Sequence, residues 1–436
     1  MKRKRILILG AGPSGLGAAW RLKKLGFKQV TILERSDVAG GLARSFVDKA
    51  GFTWDIGGHV LFSHSRYFDR VFETVMGGEY FTHKRESWIW VAHRFVPYPF
   101  QNNIHRLPAA LCDECIRELK EARKISKIPE TFADWINISY GKGIARIFLL
   151  PYNRKVWAYP PDKLSWRWTG DRVAPVDITK IEENIRMNHD DIAWGPNAVF
   201  RFPKNGGTGE IWRRIANRVA EHITYNKNII HIDARRKTVY CSDGSSYPYD
   251  ILFSTAPLTN LVKMTGKTAV IPEVSGLSSS NVTVVGIGMK GNPKPHIASK
   301  CWIYFPDPEI PFFRATVFSN YSVHNVPAGH WSLMLEVASS LHRPVPKGDI
   351  VDFCIQSAKS ATLIDQDAPI VDRFVFTASP AYPTPTLDRD DILTPAIVEL
   401  ARHDIYSKGR FGLWKYEIGN MDHVFMQGVE WAESIV

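Results

Sequence analysis

The feature that most restricts the fold of this chain is a glycine-rich turn placed directly after a short apolar run near the N-terminus. Residues 5–9 are mostly apolar and flanked by charge, as in a buried strand. The turn, residues 10–15, is followed by helical spacing over residues 16–25. Residues 29–33 form a second apolar run that ends at Glu34. This order predicts a βαβ unit at the start of the chain.

The turn carries a GxGxxG motif formed by Gly10, Gly12 and Gly15. Such glycines let the backbone approach a pyrophosphate at the helix N-terminus, where unpaired N–H groups and the helix dipole favour negative charge. Glu34 lies 24 residues beyond Gly10 and is placed to accept hydrogen bonds from the hydroxyls of an adenosine ribose. Because strand, helix and acid are all present, the motif indicates a dinucleotide site rather than a tight structural turn.

Two further glycine pairs narrow the choice of dinucleotide. Gly40 and Gly41 follow the second strand, and flavoproteins commonly carry a double glycine there because the chain passes the same pyrophosphate again. This indicates FAD rather than NAD. Gly57 and Gly58 precede His59, and this pair could pass the backbone beside an isoalloxazine ring and present the histidine to it.

The C-terminal region adds a helix start. Residues 416–423 precede helical spacing over residues 425–435. The N-terminus of such a helix, aimed at flavin O2 and N1, would stabilise the negative charge of a reduced flavin.

Composition limits the partners. The chain has 55 Lys+Arg against 44 Asp+Glu, and the net charge of +11 suggests an anionic partner. The basic residues are scattered, which argues against nucleic acid. No apolar run approaches the roughly 18 residues of a membrane-spanning helix, and the N-terminal run is too short for a signal peptide. We therefore expect a cytoplasmic protein with no membrane partner.

The cysteines predict no metal or redox chemistry. Five cysteines are few and odd in number, which fits reduced thiols. Cys112 and Cys115 form a CxxC inside a helical-looking run, without a second CxxC or a nearby histidine pair. The pattern therefore predicts two reduced thiols on a helix rather than a redox or zinc motif.

Six longer blocks carry a specific resemblance. They are GGHVLFSH (57–64), VPYPFQNN (96–103), PYNRKVW (151–157), WGPN (194–197), YPTPTL (382–387) and GRFGLWKY (409–416). In this order the blocks resemble the UDP-galactopyranose mutases of the eukaryotic type, and the resemblance extends from about residue 6 to the C-terminus. Blocks of this length are far more specific than the GxGxxG motif alone.

The resemblance implies a flavin-dependent isomerase that interconverts UDP-galactopyranose and UDP-galactofuranose. It implies reduced FAD as the active cofactor, a covalent flavin N5–sugar adduct and NADPH as the reductant. UDP leaves and returns during such a reaction, so the protein must hold the diphosphate in place.

The residues that the resemblance assigns fall into four groups. The flavin would be bound by Gly10, Gly12, Ser14, Gly15, Glu34, Gly41, Leu42, Gly57, Gly58, His59, Ile229, Asn420, Met421 and Val424. The UDP-sugar would be bound by Tyr98, Phe100, Gln101, Trp157, Arg172, Asn197, Trp302, Tyr304, Arg314, Tyr382, Arg410, Tyr416 and Asn420. The catalytic set would be His59, Arg172, Asn197, Arg314 and Arg410, and NADPH would meet His64, Arg85 and Arg410. Without the resemblance, each arginine would more simply be a surface ion pair, and each aromatic residue ordinary packing.

The predicted fold class is α/β, with a Rossmann-like FAD-binding domain, an inserted helical domain and an antiparallel-sheet substrate domain. The FAD-binding domain would comprise residues 1–82, 204–270 and 385–436, and the helical domain residues 104–190. The substrate domain would comprise residues 83–103, 191–203 and 271–384.

Local patterns predict further elements of these domains. Residues 229–239 and 250–255 resemble strands that return to the first sheet. Aromatic and polar residues alternate over residues 85–99 and predict a hairpin that turns at Ala92 and His93. Residues 107–150 have a mostly helical pattern with breaks at Pro129 and Gly141. Strands of the substrate domain are predicted at residues 282–290, 301–305, 314–319 and 331–336.

Three alternatives remain at this stage. The chain could be a mutase for another nucleotide sugar, an amine-oxidase-like or desaturating flavoenzyme with net electron transfer, or a flavin-binding protein without catalysis. The arginines and tyrosines of the matched blocks speak against the last. The sequence leaves the exact sugar, the preference between NADPH and NADH and the oligomeric state open.

Overall fold

A computed structural model describes residues 3–170, 176–192 and 197–436. The strands, in chain order, are β1 (Ile6–Leu9), β2 (Val30–Leu33), β3 (Ser45–Val47), β4 (Thr53–Asp55), β5 (Tyr80–Lys84), β6 (Ser87–Val91), β7 (Arg94–Pro97), β8 (Val199–Pro203), β9 (Ile223–Thr224), β10 (Ile229–Asp233), β11 (Thr238–Cys241), β12 (Ser246–Pro248), β13 (Ile251–Ser254), β14 (Ser279–Lys290), β15 (Trp302–Tyr304), β16 (Arg314–Val317), β17 (His330–Ser339), β18 (Ile370–Pro383) and β19 (Ile405–Ser407). The α-helices are α1 (Pro13–Lys24), α2 (Arg66–Met76), α3 (Ala109–Ala122), α4 (Phe132–Ile144), α5 (Leu150–Trp157), α6 (Ile178–Met187), α7 (Gly209–Asn217), α8 (Leu258–Thr265), α9 (Ile350–Ser360), α10 (Arg389–Arg402) and α11 (Met421–Ser434). Among the helices of these ranges, none is both long enough and apolar enough to cross a membrane.

The first sheet confirms the predicted Rossmann-like unit. Within the described ranges it has five parallel strands in the order β19-β13-β1-β2-β9. In β1, Ile6 and Ile8 pack into one core cluster, with α1 and α11, whereas Leu7 and Leu9 pack into another on the opposite face. A strand that is buried on both faces needs the continuous apolar run seen in the sequence.

Helices α1 and α11 pack against each other at backbone distance, although they lie about 400 residues apart in the chain. A Cβ atom on Gly17 would overlap the carbonyl oxygen of Phe425. A Cβ atom on Gly428 would overlap the carbonyl oxygen of Ser14. Glycine at both positions therefore permits this approach, which brings the N-terminus of α11 beside the glycine-rich turn.

The second large sheet is mostly antiparallel, in the order β18-β14-β17-β16-β15-β6-β7 for the described part of the chain. The predicted antiparallel sheet is confirmed except for the pair β6–β15, which is parallel. The hairpin β6–β7 turns at Ala92 and His93 as predicted, both with positive φ. Strand β18 was not predicted, since Pro380 and Pro383 interrupt its pattern. An edge strand tolerates proline because one side of its backbone needs no partner.

One strand prediction is wrong. Residues 229–239 do not return to the parallel sheet, which is joined only by β13 from that region. Instead β10 and β11 form a separate antiparallel sheet with β12, in register between Ile232 and Val239. The turn between β10 and β11 is short, so each strand has the other as its nearest partner and the two pair as a hairpin.

The predicted helical region, residues 107–150, contains α3 and α4. Gly141 interrupts α4 with φ of +73°, and a Cβ atom there would lie 2.6 Å from the backbone of Glu118 and Leu119 in α3. The predicted break at this glycine therefore permits close packing of two helices. The buried thiols of Cys112 and Cys115 lie on α3 and are free. The residue bounds given above for three domains stay a prediction.

Candidate active site

The glycine-rich turn forms a cradle between β1 and α1. Gly10 has φ of +97°, and a Cβ atom on Gly15 would overlap its carbonyl oxygen. A Cβ atom on Gly12 would face only the Cα atom of Gly41, 4.0 Å away. Gly12 and Gly41 thus leave a gap bounded by backbone at the start of α1, as a pyrophosphate site requires.

Glu34 is buried at the carboxyl end of β2 and is fixed by backbone groups. Its Oε2 atom accepts a hydrogen bond from the N–H of Ala11 at 2.8 Å, and its Oε1 atom from the N–H of Ser36 at 2.9 Å. The carbonyl of Glu34 accepts from the N–H of Lys227 at 2.8 Å, which places Ile229 nearby at the start of β10. The carboxylate therefore lies beside the cradle, as expected for binding a ribose.

Two observations show that the cradle fits a dinucleotide. The hydroxyl of Ser14, in the first turn of α1, is buried and has no hydrogen-bond partner among the described residues. The gap between Gly12 and Gly41 is free of side chains. A phosphate oxygen in the gap would satisfy the hydroxyl and the N-terminal N–H groups of α1. Residues 10–15, Glu34 and Gly41 would hold the pyrophosphate and the ribose.

A cavity of about 700 Å³ opens next to the cradle. It brings together many of the predicted site residues: Leu42, Gly58, His59, His64, Arg85, Tyr98, Asn197, Trp302, Tyr304, Arg314, Tyr382, Arg410, Tyr416, Asn420 and Met421. Asn420 is the N-cap of α11 and lines the cavity, so the N-terminus of that helix faces it. Its contact with flavin O2 and N1 stays a prediction. Val424, one turn further along α11, is buried.

Three predicted substrate residues support the wall from behind. Phe100 is fully buried against Phe148, with the ring centroids 4.9 Å apart. Gln101 is buried beside it, and Trp157 packs its edge on Tyr416 at 4.9 Å. Among the described residues these side chains lie outside the lining of the cavity. Arg172 lies outside the described residues.

His59 lines the cavity as a neutral imidazole. Loss of hydration, followed by the positive charges of Arg410 and Arg314, lowers the pKa of His59 to about 3. Its Nδ1 atom has no hydrogen-bond partner among the described residues, and its carbonyl accepts from the hydroxyl of Thr208 at 3.2 Å. An uncharged ring at this position suits contact with a flat ligand and disfavours a role as a general acid near neutral pH.

Arg314 and Glu336 form a buried ion pair at the floor of the cavity. Arg314 donates from Nε to Oε1 at 2.6 Å and from Nη2 to Oε2 at 2.8 Å. Burial opposes the charged guanidinium, but Glu336 outweighs this and holds the pKa of Arg314 well above its usual value. The N–H of Gly58 donates to Glu336 at 3.1 Å, so one carboxylate joins Arg314 to the loop of His59.

Four tyrosines and two more arginines complete the wall. Arg85 lies over the rings of Tyr98 and Trp302, at 5.2 and 5.0 Å, and donates to the Ser87 hydroxyl at 3.0 Å. Arg410 donates to the carbonyl of Gly419 at 2.7 Å. The Arg410 guanidinium also lies over the Tyr382 and Tyr416 rings, at 5.9 and 6.0 Å, and the centroids of the Tyr98 and Tyr304 rings are 5.6 Å apart.

Two of these phenols stay protonated at neutral pH and can therefore donate hydrogen bonds to a bound anion. Burial raises the pKa of Tyr98 and Tyr382 above the ordinary value, so both remain O–H donors at neutral pH. Guanidinium forks and neutral phenols around one cavity are a donor set for phosphate oxygens.

A buried carboxyl group supports the His59 loop from below. Asp55 accepts hydrogen bonds from the hydroxyl of Ser45 and from the N–H of Thr208, and Thr208 in turn donates to His59. Burial raises the pKa of Asp55 from 3.8 to about 7. The proton held by Asp55 is therefore linked to folding.

We expect this group to make stability fall as pH rises from about 4 to about 7. In that window the folded protein retains the proton of Asp55 while the unfolded chain loses it, so deprotonation favours unfolding. Urea unfolding of the wild type and of Asp55→Asn across this range measures the effect. The substituted protein should show a smaller decline in its free energy of unfolding, and parallel curves for the two proteins would contradict the assignment.

Sequence reasoning missed Glu336, Asp55 and His423. Glu336 could have been noticed because it is the one charged residue in the apolar stretch 331–338. It pairs in register with Arg314 on the neighbouring strand. A single charge within a buried strand usually indicates a buried partner. The positions of Asp55 and His423 depend on contacts between distant segments and have no comparable signal.

With this geometry established, comparison with known proteins identifies the family. A model of the flavin containing amine oxidoreductases matches residues 13–385, and the chain belongs to this family. The family and the cradle together support FAD as the cofactor. Within it, a crystal structure of reduced UDP-galactopyranose mutase is similar over almost the whole chain. That match has a TM-score of 0.95 and 46% identity, and covers 99% of this chain and 93% of the other.

Other similarities are more distant or shorter. A putative protoporphyrinogen oxidase from Exiguobacterium sp. 255-15 shares the fold, with a TM-score of 0.76 at 16% identity over 100% of this chain and 99% of the other. A 1-hydroxycarotenoid 3,4-desaturase of Flavobacterium sp. (strain P99-3) is 43% identical over 54 residues, 12% of this chain and 11% of the relative. A phytoene desaturase of Fusarium fujikuroi is 39% identical over 71 residues, 16% of this chain and 12% of the relative. The chain therefore matches these curated relatives over less than an eighth of their length.

Proposed function

We propose that this protein is a flavin-dependent isomerase that interconverts UDP-galactopyranose and UDP-galactofuranose. The observation that carries the proposal is the set of cavity donors beside the flavin cradle: Arg314, Arg410, Tyr304, Tyr382 and Tyr416. A nucleotide-sugar diphosphate supplies the anion that such a set would bind. The whole-chain similarity to a UDP-galactopyranose mutase supports the choice of sugar nucleotide.

The chain's own residues would hold the leaving group in place. Reduced FAD would supply the nucleophile, its N5 atom. The guanidinium groups of Arg314 and Arg410 would bind the diphosphate, so that UDP stays for the return attack on the sugar. Glu336 would fix the direction of the Arg314 fork, and neutral His59 would pack beside the flavin without adding charge. The net reaction moves no electrons.

The test is product analysis. The purified protein, reduced with dithionite, is incubated anaerobically with UDP-galactofuranose, and the nucleotides are separated by chromatography. We expect UDP-galactopyranose to accumulate, and expect none with oxidised protein. UDP-arabinose is tested in parallel. Isomerisation of UDP-arabinose but not of UDP-galactofuranose would favour a related mutase. No isomer from either substrate would overturn the proposal.

We expect the electron count to distinguish an isomerase from an amine-oxidase-like enzyme of the same family. An isomerase reuses its reduced flavin, so many sugars are converted for each NADPH oxidised in the absence of oxygen. An enzyme with net electron transfer moves one electron pair for each product, so each turnover uses one equivalent of an external reductant or oxidant. The measurement is the ratio of NADPH oxidised to sugar converted, and a one-to-one ratio would contradict the isomerase assignment.

We expect Arg85→Ala to separate reduction from isomerisation. NADPH is the proposed reductant, and Arg85 would contact it at the edge of the cavity, beside Tyr98 and Trp302. Loss of one charge-assisted contact, worth about 1.5–3 kcal/mol, should slow flavin bleaching by NADPH about 10-fold or more. Turnover after dithionite reduction should stay near that of the wild type. Equal loss in both assays would place Arg85 in the sugar site instead.

The five described cysteines are buried and free, which suits a reducing compartment, and we propose that the protein works in the cytoplasm.

A further inference from the structure

We propose that His64, Asp422 and His423 form a binding site for a divalent transition-metal ion of the zinc type at the edge of the cavity. His64 lies on the loop between the His59 turn and α2, and the other two residues lie in the first turn of α11. The loop and the helix are 358 residues apart in the sequence, so no motif predicts this cluster. Within the described part of the chain, these residues form a group whose spacing suits a metal ion.

Asp422 is the anchor of the site. Its side chain is fully buried, and its Oδ2 atom accepts from the backbone N–H of His64 at 2.9 Å. Its Oδ1 atom is also buried and has no hydrogen-bond partner among the described residues. A fully buried carboxylate is costly, and a cation bound at Oδ2, the atom nearest both imidazoles, would offset that cost.

The two imidazoles approach the carboxylate closely. His64 Nδ1 lies 3.3 Å and His423 Nε2 lies 3.8 Å from Asp422 Oδ2. One ligand atom from each of the three residues lies within 4.8 Å of the others. Zinc with bonds of about 2.0–2.2 Å in a tetrahedron needs ligand atoms about 3.3–3.5 Å apart. The histidine side chains are 33% and 39% exposed, so small rotations of these rings can close the remaining gap.

The ligand chemistry selects the metal. Two imidazole nitrogens and one carboxylate oxygen suit Zn²⁺ and its neighbours in the first transition row, whereas Mg²⁺ and Ca²⁺ prefer oxygen ligands. Both histidines line the cavity, so a fourth coordination position would be open to it. Structural zinc sites usually have four protein ligands, whereas three ligands with one open position leave the ion accessible to a small molecule from the cavity.

The experiment uses the oxidised, FAD-loaded protein without sugar or NADPH, so its outcome is independent of the proposed reaction. After chelator treatment, Zn²⁺ is titrated by calorimetry, and the metal retained after desalting is counted. We expect one zinc per chain. His64→Ala and His423→Ala should each weaken binding about 10- to 100-fold, with flavin absorbance unchanged as evidence that the fold is retained.

The matched control is His403→Ala. His403 lies 3.5 Å from Glu399 of α10, and within the described ranges this histidine–carboxylate pair is not part of a three-ligand group. Its loss should leave zinc binding unchanged. A crystal soaked with Zn²⁺ should show anomalous scattering between His64 and His423. No binding by the wild type, equal affinity in the wild type and His423→Ala, or an anomalous peak elsewhere would each overturn the proposal.

Discussion

Arg410→Ala is expected to keep its flavin and its fold but to lose at least about 100-fold in kcat/KM with dithionite-reduced enzyme. Two charge-assisted hydrogen bonds to phosphate are worth roughly 1.5–3 kcal/mol each, and 1.4 kcal/mol is a factor of ten. Arg410 lines the cavity, with its guanidinium over the rings of Tyr382 and Tyr416, and donates to the carbonyl of Gly419. The loss of this donor leaves an uncharged carbonyl behind.

The matched control for Arg410 is Arg402→Ala. Arg402 is exposed on α10 and pairs with Glu399 three residues earlier, at 2.8 Å. Its loss changes the net charge by the same amount without touching the cavity, and kinetics should be unaffected. Near-normal turnover of Arg410→Ala, with flavin absorbance and melting temperature confirmed, would show that the diphosphate is bound elsewhere.

Glu336→Ala is expected to lower the free energy of unfolding by about 3–5 kcal/mol, because it leaves a mostly buried guanidinium unpaired. The ion pair that it breaks is bidentate, and the carboxylate is 1% exposed. Urea unfolding measures the change. The matched control is Asp352→Ala, which breaks a pair with Arg373 at 2.8 Å whose side chains are 60% and 53% exposed. That loss should cost at most about 1 kcal/mol.

A double substitution at the Arg314–Glu336 pair distinguishes its effect on stability from its effect on activity. Arg314→Met combined with Glu336→Leu replaces the pair with apolar groups of similar size, and buried pairs replaced in this way often lose little or no stability. We therefore expect the double variant to unfold nearly as the wild type does, yet to be inactive because the guanidinium of Arg314 no longer faces the diphosphate. Activity in the double variant would exclude Arg314 from the site, and equal costs for Glu336→Ala and Asp352→Ala would contradict the burial argument.

The parts of the molecule that sequence predicted well are those set by local chemistry. The cradle follows from glycines at fixed spacing between an apolar strand and a helix, and each requirement acts within about 25 residues. The prediction that residues 229–239 join the parallel sheet failed because an apolar run specifies a strand but not its partner. Strand β18 was missed because its prolines are acceptable only at a sheet edge, and edge position is a property of the folded chain.

In the candidate site, too, some residues could be assigned from the sequence and others could not. Arg410 and three of the tyrosines lie in the matched blocks, whereas Arg314 and Tyr304 were assigned by the resemblance outside those blocks. The structure places all six around one cavity. Glu336 and Asp55 act through hydrogen bonds to residues 22 and 153 positions away, respectively. Such contacts depend on tertiary packing, which residue spacing does not record. Phe100 shows a second limit. It lies in a matched block, but the block does not reveal whether its side chain faces the cavity or packs behind the cavity wall.

The close packing of α1 with α11 has a consequence for the order in which the protein matures. The first wall of the flavin pocket emerges from the ribosome with residues 10–41, whereas the helix that closes it, Met421–Ser434, emerges some 380 residues later. Until then the face of α1 around Gly17 has no helix packed on it. The parallel sheet gains β13 after residue 254 and β19 only after residue 407, shortly before α11. The nascent chain therefore has half a binding site for most of its synthesis. We therefore expect FAD to bind only after the C-terminal helix has been synthesised.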